Sequence, residues 1–200
     1  KNTSNIKKQG LKALVTTGPT REYLDPVRFI SNESSGVQGY EIAKLLSKSG
    51  VKTTLIAGPS DLNSVLGLKI IKVKTAKEML NEVKKLLPVD IAVCAAAVSD
   101  FKPKDFNPSK IKKNKKTLKS LELDKNVDIL DYLGKHNRNR PGLVVGFSAE
   151  TENLIKNSEE KLREKRCDII VANDVSKKDF GFNSQYNKVS LIENDGKILN

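Results

Sequence analysis

LVTTGPTREYLDPVRFISNESSGVQGYEIA, residues 14–43, is the stretch that decides how this chain is read. The apolar run Ala13-Leu14-Val15 leads into Thr17-Gly18-Pro19-Thr20. A polar segment follows, carrying Arg21, Glu22, Asp25, Pro26, Arg28 and Asn32. Ser34-Ser35-Gly36 then opens a segment whose apolar residues Ile42, Ala43, Leu45 and Leu46 recur at helical spacing. Strand, glycine turn and helix N-terminus in succession make the layout of a phosphate-binding βα unit, because free N–H groups and the positive end of the helix dipole face the turn. Ser34 and Ser35 can also be read as ordinary helix caps. The spacing is unusual. Strand-to-helix connections usually take about 2–6 residues, whereas 17 residues separate Gly18 from Gly36.

The alternation continues along the chain. Strands are expected at Leu11–Thr17, Val51–Ala57, Lys69–Val73, Asp90–Ala97, Leu143–Ser148 and Asp168–Ala172. Helices are expected at Val37–Ser49, Ala76–Leu87 and Glu152–Arg166, with a short one within Val127–His136. Thr75 is a natural N-cap and Gly50 a natural helix stop. The run IAVCAAAV is apolar on both parities, as in a strand covered on both faces. Asn194-Asp195-Gly196 between Lys188–Glu193 and Lys197–Leu199 signals a closing hairpin. The expected fold class is α/β: a Rossmann-like, doubly wound, mainly parallel sheet with a C-terminal β-hairpin. It forms a single domain over residues 11–200, behind a polar linker tail at residues 1–10. The pattern breaks at Ser99–Lys119, which holds Pro103, Pro108 and eight lysines and shows neither period. A loop of that length in a compact domain is usually functional or mobile.

Composition narrows the classes. Apolar residues make up 38% of the chain, enough for a proper core. No apolar run approaches the roughly 20 residues of a membrane helix, and the opening KNTSNIKKQG lacks a signal-peptide core. The two cysteines, Cys94 and Cys167, are far apart and show no metal spacing, which suits incidental thiols of a cytosolic protein. The net charge of +12 can mean nucleic acid, an anionic membrane or small anionic substrates, or only a lysine-rich composition. The lysines are scattered without a stacking platform, which disfavours nucleic acid.

In open parallel sheets the ligand lies outside the carboxyl ends of the strands. Here those ends carry Gly18–Thr20, Gly58-Pro59, Ala95–Asp100, Phe147 with Ala149 and Glu150, and Asn173-Asp174. An NAD(P)-dependent reductase on this fold is the alternative. It would want G-x-G-x-x-G directly after the first strand and an acidic residue ending the second. The insert and the sequence Ile56-Ala57-Gly58-Pro59 disfavour it. Lys110-Ile111-Lys112-Lys113 is either a solvated charge run or a flap that neutralises a polyphosphate. Lys161 and Lys165, four apart, share a helix face. Asn32 is either a turn residue or a neutral donor for a developing oxyanion. His136 is the only histidine and sits in the surface run KHNRNR. No Ser-His-Asp set, Walker lysine loop or Cys/His cluster can be assembled.

Five ordered motifs carry a resemblance: GPTREYLDPVRFISNESSGVQG, CAAAVSDFKP, KIKK, GFSAET and IIVANDV followed by GFN. From Leu11 to about Leu199 the chain resembles the phosphopantothenoylcysteine synthetase (phosphopantothenate–cysteine ligase) family. That family is usually the C-terminal half of the bifunctional bacterial coenzyme A biosynthesis flavoprotein. The resemblance implies a cytoplasmic, homodimeric, nucleotide-binding ligase. It would use CTP and Mg²⁺ to activate 4′-phosphopantothenate as an acyl-cytidylate, releasing pyrophosphate. L-Cysteine would then attack to give 4′-phosphopantothenoyl-L-cysteine and CMP. A flavin-dependent decarboxylase domain would be linked natively. By the same resemblance the nucleotide would be held by Cys94, Ala95, Ala96, Asp100, Lys110, Val127, Asp128, Ile129, Leu130, Phe147, Lys161 and Lys165. The acyl substrate would be held by Gly18, Arg28, Asn32, Ser34, Ser35 and Gly36, with Asn32 and Lys110 catalytic and the metal ligands unknown. Val127 stands where the bacterial pattern has proline. For the dimer contact, the terminal hairpin and the region after the third strand are the expectations.

Overall fold

The computed structural model describes residues 10–61, 63, 65–112, 120–136, 138–176 and 188–199. The linker tail before Gly10, residues 113–119 of the lysine loop and the Gly181-Phe182-Asn183 motif lie outside them. The central sheet is built from β1 (Lys12–Thr17), β4 (Lys52–Ala57), β5 (Lys69–Lys72), β6 (Ile91–Cys94), β9 (Leu143–Glu150), β10 (Ile169–Asp174), β11 (Val189–Glu193) and β12 (Ile198–Leu199). Its order is β12-β11-β10-β9-β6-β1-β4-β5. The pairs from β5 through β10 are parallel, and the two pairs of the terminal hairpin region, β10–β11 and β11–β12, are antiparallel. The chain winds outward from β1 to β4 and β5, then returns to the other side of β1 for β6, β9 and β10. That reversal opens a crevice at the carboxyl ends of β1 and β6.

Two apolar layers hold the sheet. Helix α1 (Val37–Lys48) covers one face through Ala43, packed with Val15, Leu55 and Val93. Helices α2 (Ala76–Leu86), α3 (Ile129–Gly134) and α4 (Leu154–Lys165) cover the other, burying Leu14, Ile56, Met79, Val83, Leu133, Leu162 and Ile170. In α2, Met79, Leu80 and Val83 are buried at helical spacing, and Thr75 caps the helix by accepting from the Glu78 amide at 3.2 Å. Asp128 caps α3 in the same way, accepting from the Asp131 amide at 2.8 Å.

Three expectations change. The segment after β1 is no simple loop: β2 (Arg21–Tyr23) and β3 (Phe29–Ser31) pair as a short antiparallel ribbon. The start of the lysine segment pairs with residues just beyond it as a second ribbon, β7 (Phe101–Pro103) with β8 (Leu123–Lys125), each strand too short for a period to show in sequence. Finally, α1 begins at Val37 with Gly36 as its N-cap in the left-handed region (φ 75°), so neither Ser34 nor Ser35 is the cap residue. Strand and helix ends otherwise move by one to three residues. The chain leaves the sheet after Cys94 rather than Ala97 because the next backbone bonds turn to the first loop, with the Ala97 N–H donating to Gly18 O at 3.0 Å.

Candidate active site

The end of β1 and the start of α1 are held at contact distance. The Thr17 hydroxyl donates to Gly36 O at 2.6 Å, out of solvent. A Cβ on Gly36 would lie 3.1 Å from Gly18 Cα, and one on Gly39 would lie 2.5 Å from Thr17 Oγ1. Only residues without side chains let the helix enter this close. Ser34 Oγ and Ser35 Oγ accept from the amides of Gly36 and Val37 at 3.3 and 3.4 Å. The amides of Gln38 and Gly39 make no hydrogen bond among the described residues. They remain directed at the crevice, which makes this helix end a receptor for an anionic group.

A cleft of about 1090 Å³ opens from that helix end across the carboxyl ends of β6, β9 and β10. It gathers Asn32, Ser34, Ser35 and Gly36 from the first loop and Cys94, Ala95, Ala96 and Asp100 from the segment after β6. It also gathers Val127, Asp128, Ile129 and Leu130 from the start of α3, Phe147 from β9 and Lys161 from α4. Asn32 Nδ2 donates to Val98 O at 3.1 Å, which holds its amide against the segment after β6. Lys161 makes no ion pair among the described residues, and its charge is felt at Cys94. Burial pushes the Cys94 thiol up to about 12, reinforced by Cys167 and Asp128 and opposed by Lys161. The thiol is therefore an uncharged part of the cleft wall.

Four of the expected residues stand elsewhere. Gly18 lies beneath Gly36, against the backbone of Gly58. Lys165 bonds Asp128 at 3.2 Å and Glu164 at 2.7 Å, so its charge braces the start of α3 rather than facing the cleft. Its ammonium is held above the ordinary lysine range by the Glu164 and Asp128 carboxylates, against some loss to burial. Arg28 spends its guanidinium on Asp25 (Nη1 to Oδ2, 3.4 Å) and on Ile111 O (2.9 Å from Nη2). Lys110, next to Ile111, is carried on this strap outside the cleft lining.

Residues 8–200 match the C-terminal domain of the DNA/pantothenate metabolism flavoprotein. The chain belongs to that family. The coenzyme A biosynthesis bifunctional protein CoaBC of Borreliella burgdorferi is 43% identical over 183 residues, covering 90% of this chain and 46% of that protein. This flavoprotein C-terminal domain thus spans about half the length of the curated relatives it matches. The crystal structure of the C-terminal domain of a CoaBC protein superposes with a TM-score of 0.78 at 37% identity, covering 96% of this chain and 85% of that one. A mutant of Cab2 in complex with phosphopantothenate-cysteine shares the fold at 17% identity, with a TM-score of 0.74 over 96% of this chain and 80% of its own.

Two acidic residues of this flavoprotein domain organise the site without lining it. The Asp25 carboxylate, fully buried, accepts from the amides of Val27 and Arg28 at 2.8 Å and from Ile111 at 3.2 Å. Burial pushes it up, but those amides and the Arg28 guanidinium outweigh burial and hold the carboxyl below its ordinary value. Glu22, also buried, accepts from the Ala76 amide at 3.0 Å, placing a carboxylate at the N-terminus of α2. Both residues stand inside the polar insert of the sequence. Their partners lie 54 and 86 residues away, beyond the reach of local pattern. Lys125, Asn126 and Asn173 also line the cleft, and for Lys125 and Asn126 no local signal existed.

Proposed function

We propose that this chain is a ligase that joins 4′-phosphopantothenate to L-cysteine through a CTP-derived acyl-cytidylate. The observation that carries the reading is the cleft itself. Its α1 end offers unbonded amides to an anion, its far end offers Lys161 and the aromatic Phe147, and Asn32 stands between them on the first loop. Membership of a family whose relatives are named for coenzyme A biosynthesis supports it.

In the first half-reaction a carboxylate oxygen of the acyl substrate attacks the α-phosphorus of CTP and pyrophosphate leaves. No proton is abstracted, so the chemistry needs charge neutralisation and alignment rather than a general base. The α1 amides, with Ser34, Ser35 and Gly36, hold the acyl substrate. Lys161 faces the phosphates, and Lys110 approaches them from its strap. In the second half-reaction the cysteine nitrogen attacks the acyl carbon, CMP departs with the acyl-linked oxygen, and the amine proton passes to solvent. Asn32 donates to the oxyanion of that tetrahedral intermediate. Among the described residues no cluster of three acidic, cysteine or histidine side chains could cage a metal. Mg²⁺ is commonly held by one or two carboxylates together with substrate phosphates. Asp100, on the cleft wall, makes no hydrogen bond or ion pair through its carboxylate among the described residues and fits that mode. When bound, Mg²⁺ supplies charge neutralisation on the phosphates.

The reading extends to a cytoplasmic homodimer linked natively to a flavin-dependent decarboxylase domain. The ribbons β2–β3 and β7–β8 leave Phe29, Phe101 and Leu123 exposed, which suits a subunit contact. Among the described residues no helix is long and apolar enough to cross a membrane. The deciding experiment follows pyrophosphate from CTP and 4′-phosphopantothenate, with and without cysteine. Pyrophosphate should form in both cases and CMP should turn over only with cysteine. Absence of any CTP cleavage with both substrates and Mg²⁺ present would reject the reading.

A further inference from the structure

Among the described residues lining the cleft, Asn173 has a buried side-chain oxygen with no hydrogen-bond partner. The other orphan of this kind, Ser158 Oγ, belongs to α4 and does not line the cleft. Asn173 lies near the carboxyl end of β10, paired in register with Ala149, while Phe147 pairs with Val171 two residues earlier. Alternate residues of a strand share a face, so Phe147, Ala149, Val171 and Asn173 lie on one face of the sheet. A buried acceptor without a partner opposes folding, and native chains seldom keep one without a use.

The orphan restricts what can meet it. An acceptor is satisfied only by a donor, and the phosphates and carboxylates of the anionic substrates offer none at neutral pH. The donors among the proposed substrates are the ribose hydroxyls of the nucleotide, the amide and hydroxyl of the acyl substrate, the cysteine ammonium and the exocyclic amine of the base, and of these only the base is a planar ring. The Phe147 ring on the same face provides an apolar wall for a planar ring. Strands lie about 4.8 Å apart, so β10 stands roughly 14 Å across the sheet from β1, where α1 takes the acyl substrate, and the nucleotide is left to the β9–β10 side of the cleft.

We propose that Asn173 reads the base of the nucleotide bound in this cleft. Its side-chain amide pairs with the edge on which cytosine carries an amine next to an unprotonated ring nitrogen. Oδ1 accepts from the amine and Nδ2 donates to the ring nitrogen, the two-bond chemistry by which asparagine reads adenine in DNA. The assignment rests on the nucleotide reading above and adds to it the residue that selects an amine-bearing base.

The test is calorimetric titration of the wild-type chain, Asn173→Ala and the nearly isosteric Asn173→Leu. Two ligands are used: CTP, and the triphosphate of the pyrimidin-2-one riboside, which is CTP without its amine. Each substitution should weaken CTP about tenfold, equivalent to about 1.4 kcal/mol. The wild type should prefer CTP over the analogue by a similar factor, and both variants should bind the two ligands alike. Ligand-free melting temperatures should stay level or rise, because an unsatisfied acceptor is being removed. Undiminished CTP affinity in both variants overturns the assignment. So does an equal loss of both ligands, or a fall in the ligand-free melting temperature of both variants, which marks a structural role. Failure of the wild type itself to bind CTP overturns the nucleotide reading, and this assignment with it.

Discussion

Replacing Gly39 with alanine tests whether contact between α1 and β1 positions the site. The added Cβ would lie 2.5 Å from Thr17 Oγ1 and 2.7 Å from Thr17 Cβ, where ordinary contact begins at 3.4 Å. Rotation of Thr17 can remove the first clash, at the cost of the bond from its hydroxyl to Gly36 O. It cannot remove the second. The shortfall there is 3.4 − 2.7 = 0.7 Å, and the helix must move outward by about that much. Overpacking of this kind costs about 1–3 kcal/mol, and the lost hydrogen bond about 1 kcal/mol. The better helix propensity of alanine returns about 1 kcal/mol. The net expectation is a loss of about 1–3 kcal/mol. At about 2–4 °C per kcal/mol for a chain of this size, the melting temperature should fall by roughly 2–12 °C. The same shift carries the Gln38 and Gly39 amides away from the crevice, so CTP and 4′-phosphopantothenate should together protect the variant less than the wild type against heat. Scanning calorimetry with and without the ligands measures both effects. A melting temperature equal to or above wild type would show that helix propensity wins and that α1 seats with slack, which refutes the reasoning.

Asn32→Ala should leave CTP-dependent pyrophosphate release near wild type while amide formation falls about 10²–10³-fold, the usual effect of one lost oxyanion donor; product formation at the normal rate would remove Asn32 from the mechanism. The depressed Asp25 carboxyl predicts an acid limb. Its folded value lies below the ordinary 3.8, so its contribution is present above that pH and is lost as pH falls through the depressed value. Denaturant unfolding measured from pH 2 to 5 should therefore be steeper in pH for the wild type than for Asp25→Asn, and equal slopes would contradict the assignment. Burial pushes the thiols of Cys94 and Cys167 up to about 12 and about 11. Both should react with a disulfide reagent at pH 8 far more slowly in the native than in the denatured protein, and rapid native labelling would show that the thiols are not raised as described.

The sheet was legible because its signals are local. Val15, Leu55, Val93 and Val171 sit in apolar runs short enough for strands, and Met79, Leu80 and Val83 keep helical spacing. The place of the cleft was legible because an open parallel sheet with alternating helices leaves its crevice at the carboxyl ends of the strands. Two kinds of feature escaped. Strands of three residues, such as Arg21–Tyr23 and Phe101–Pro103, are too short for alternation to register. Side chains whose partners are distant in sequence carry no local mark of those partners. Lys161 and Lys165 look equivalent on a helical wheel, yet Lys165 meets Asp128 while Lys161 reaches the cleft. The difference is set by where α3 packs against α4, which no spacing encodes.

The insert between Gly18 and Gly36 gains its meaning from these distant partners. Glu22 ties it to the start of α2, Asp25 and Arg28 grip both backbone groups of Ile111, and Asn32 reaches the Val98 carbonyl beside β6. Three tethers to three separate segments fix the arm far more firmly than its own short ribbon could. A dinucleotide enzyme would leave this space to the pyrophosphate and turn straight into the helix. Here the chain fills it with a braced arm that carries the Asn32 amide to the cleft wall and a lysine segment beside it. For the proposed reaction, in which two anionic substrates must meet, the arm would hold Asn32 and the lysine segment in one frame while the helix end and Lys161 remain free for charge. Cutting one tether should therefore disturb both groups that it carries. Asp25→Asn releases Ile111 and Arg28 together, so it should lower the rate of acyl-nucleotide formation more than it weakens CTP binding. If rate and affinity instead fell by the same factor, the brace would serve the fold alone.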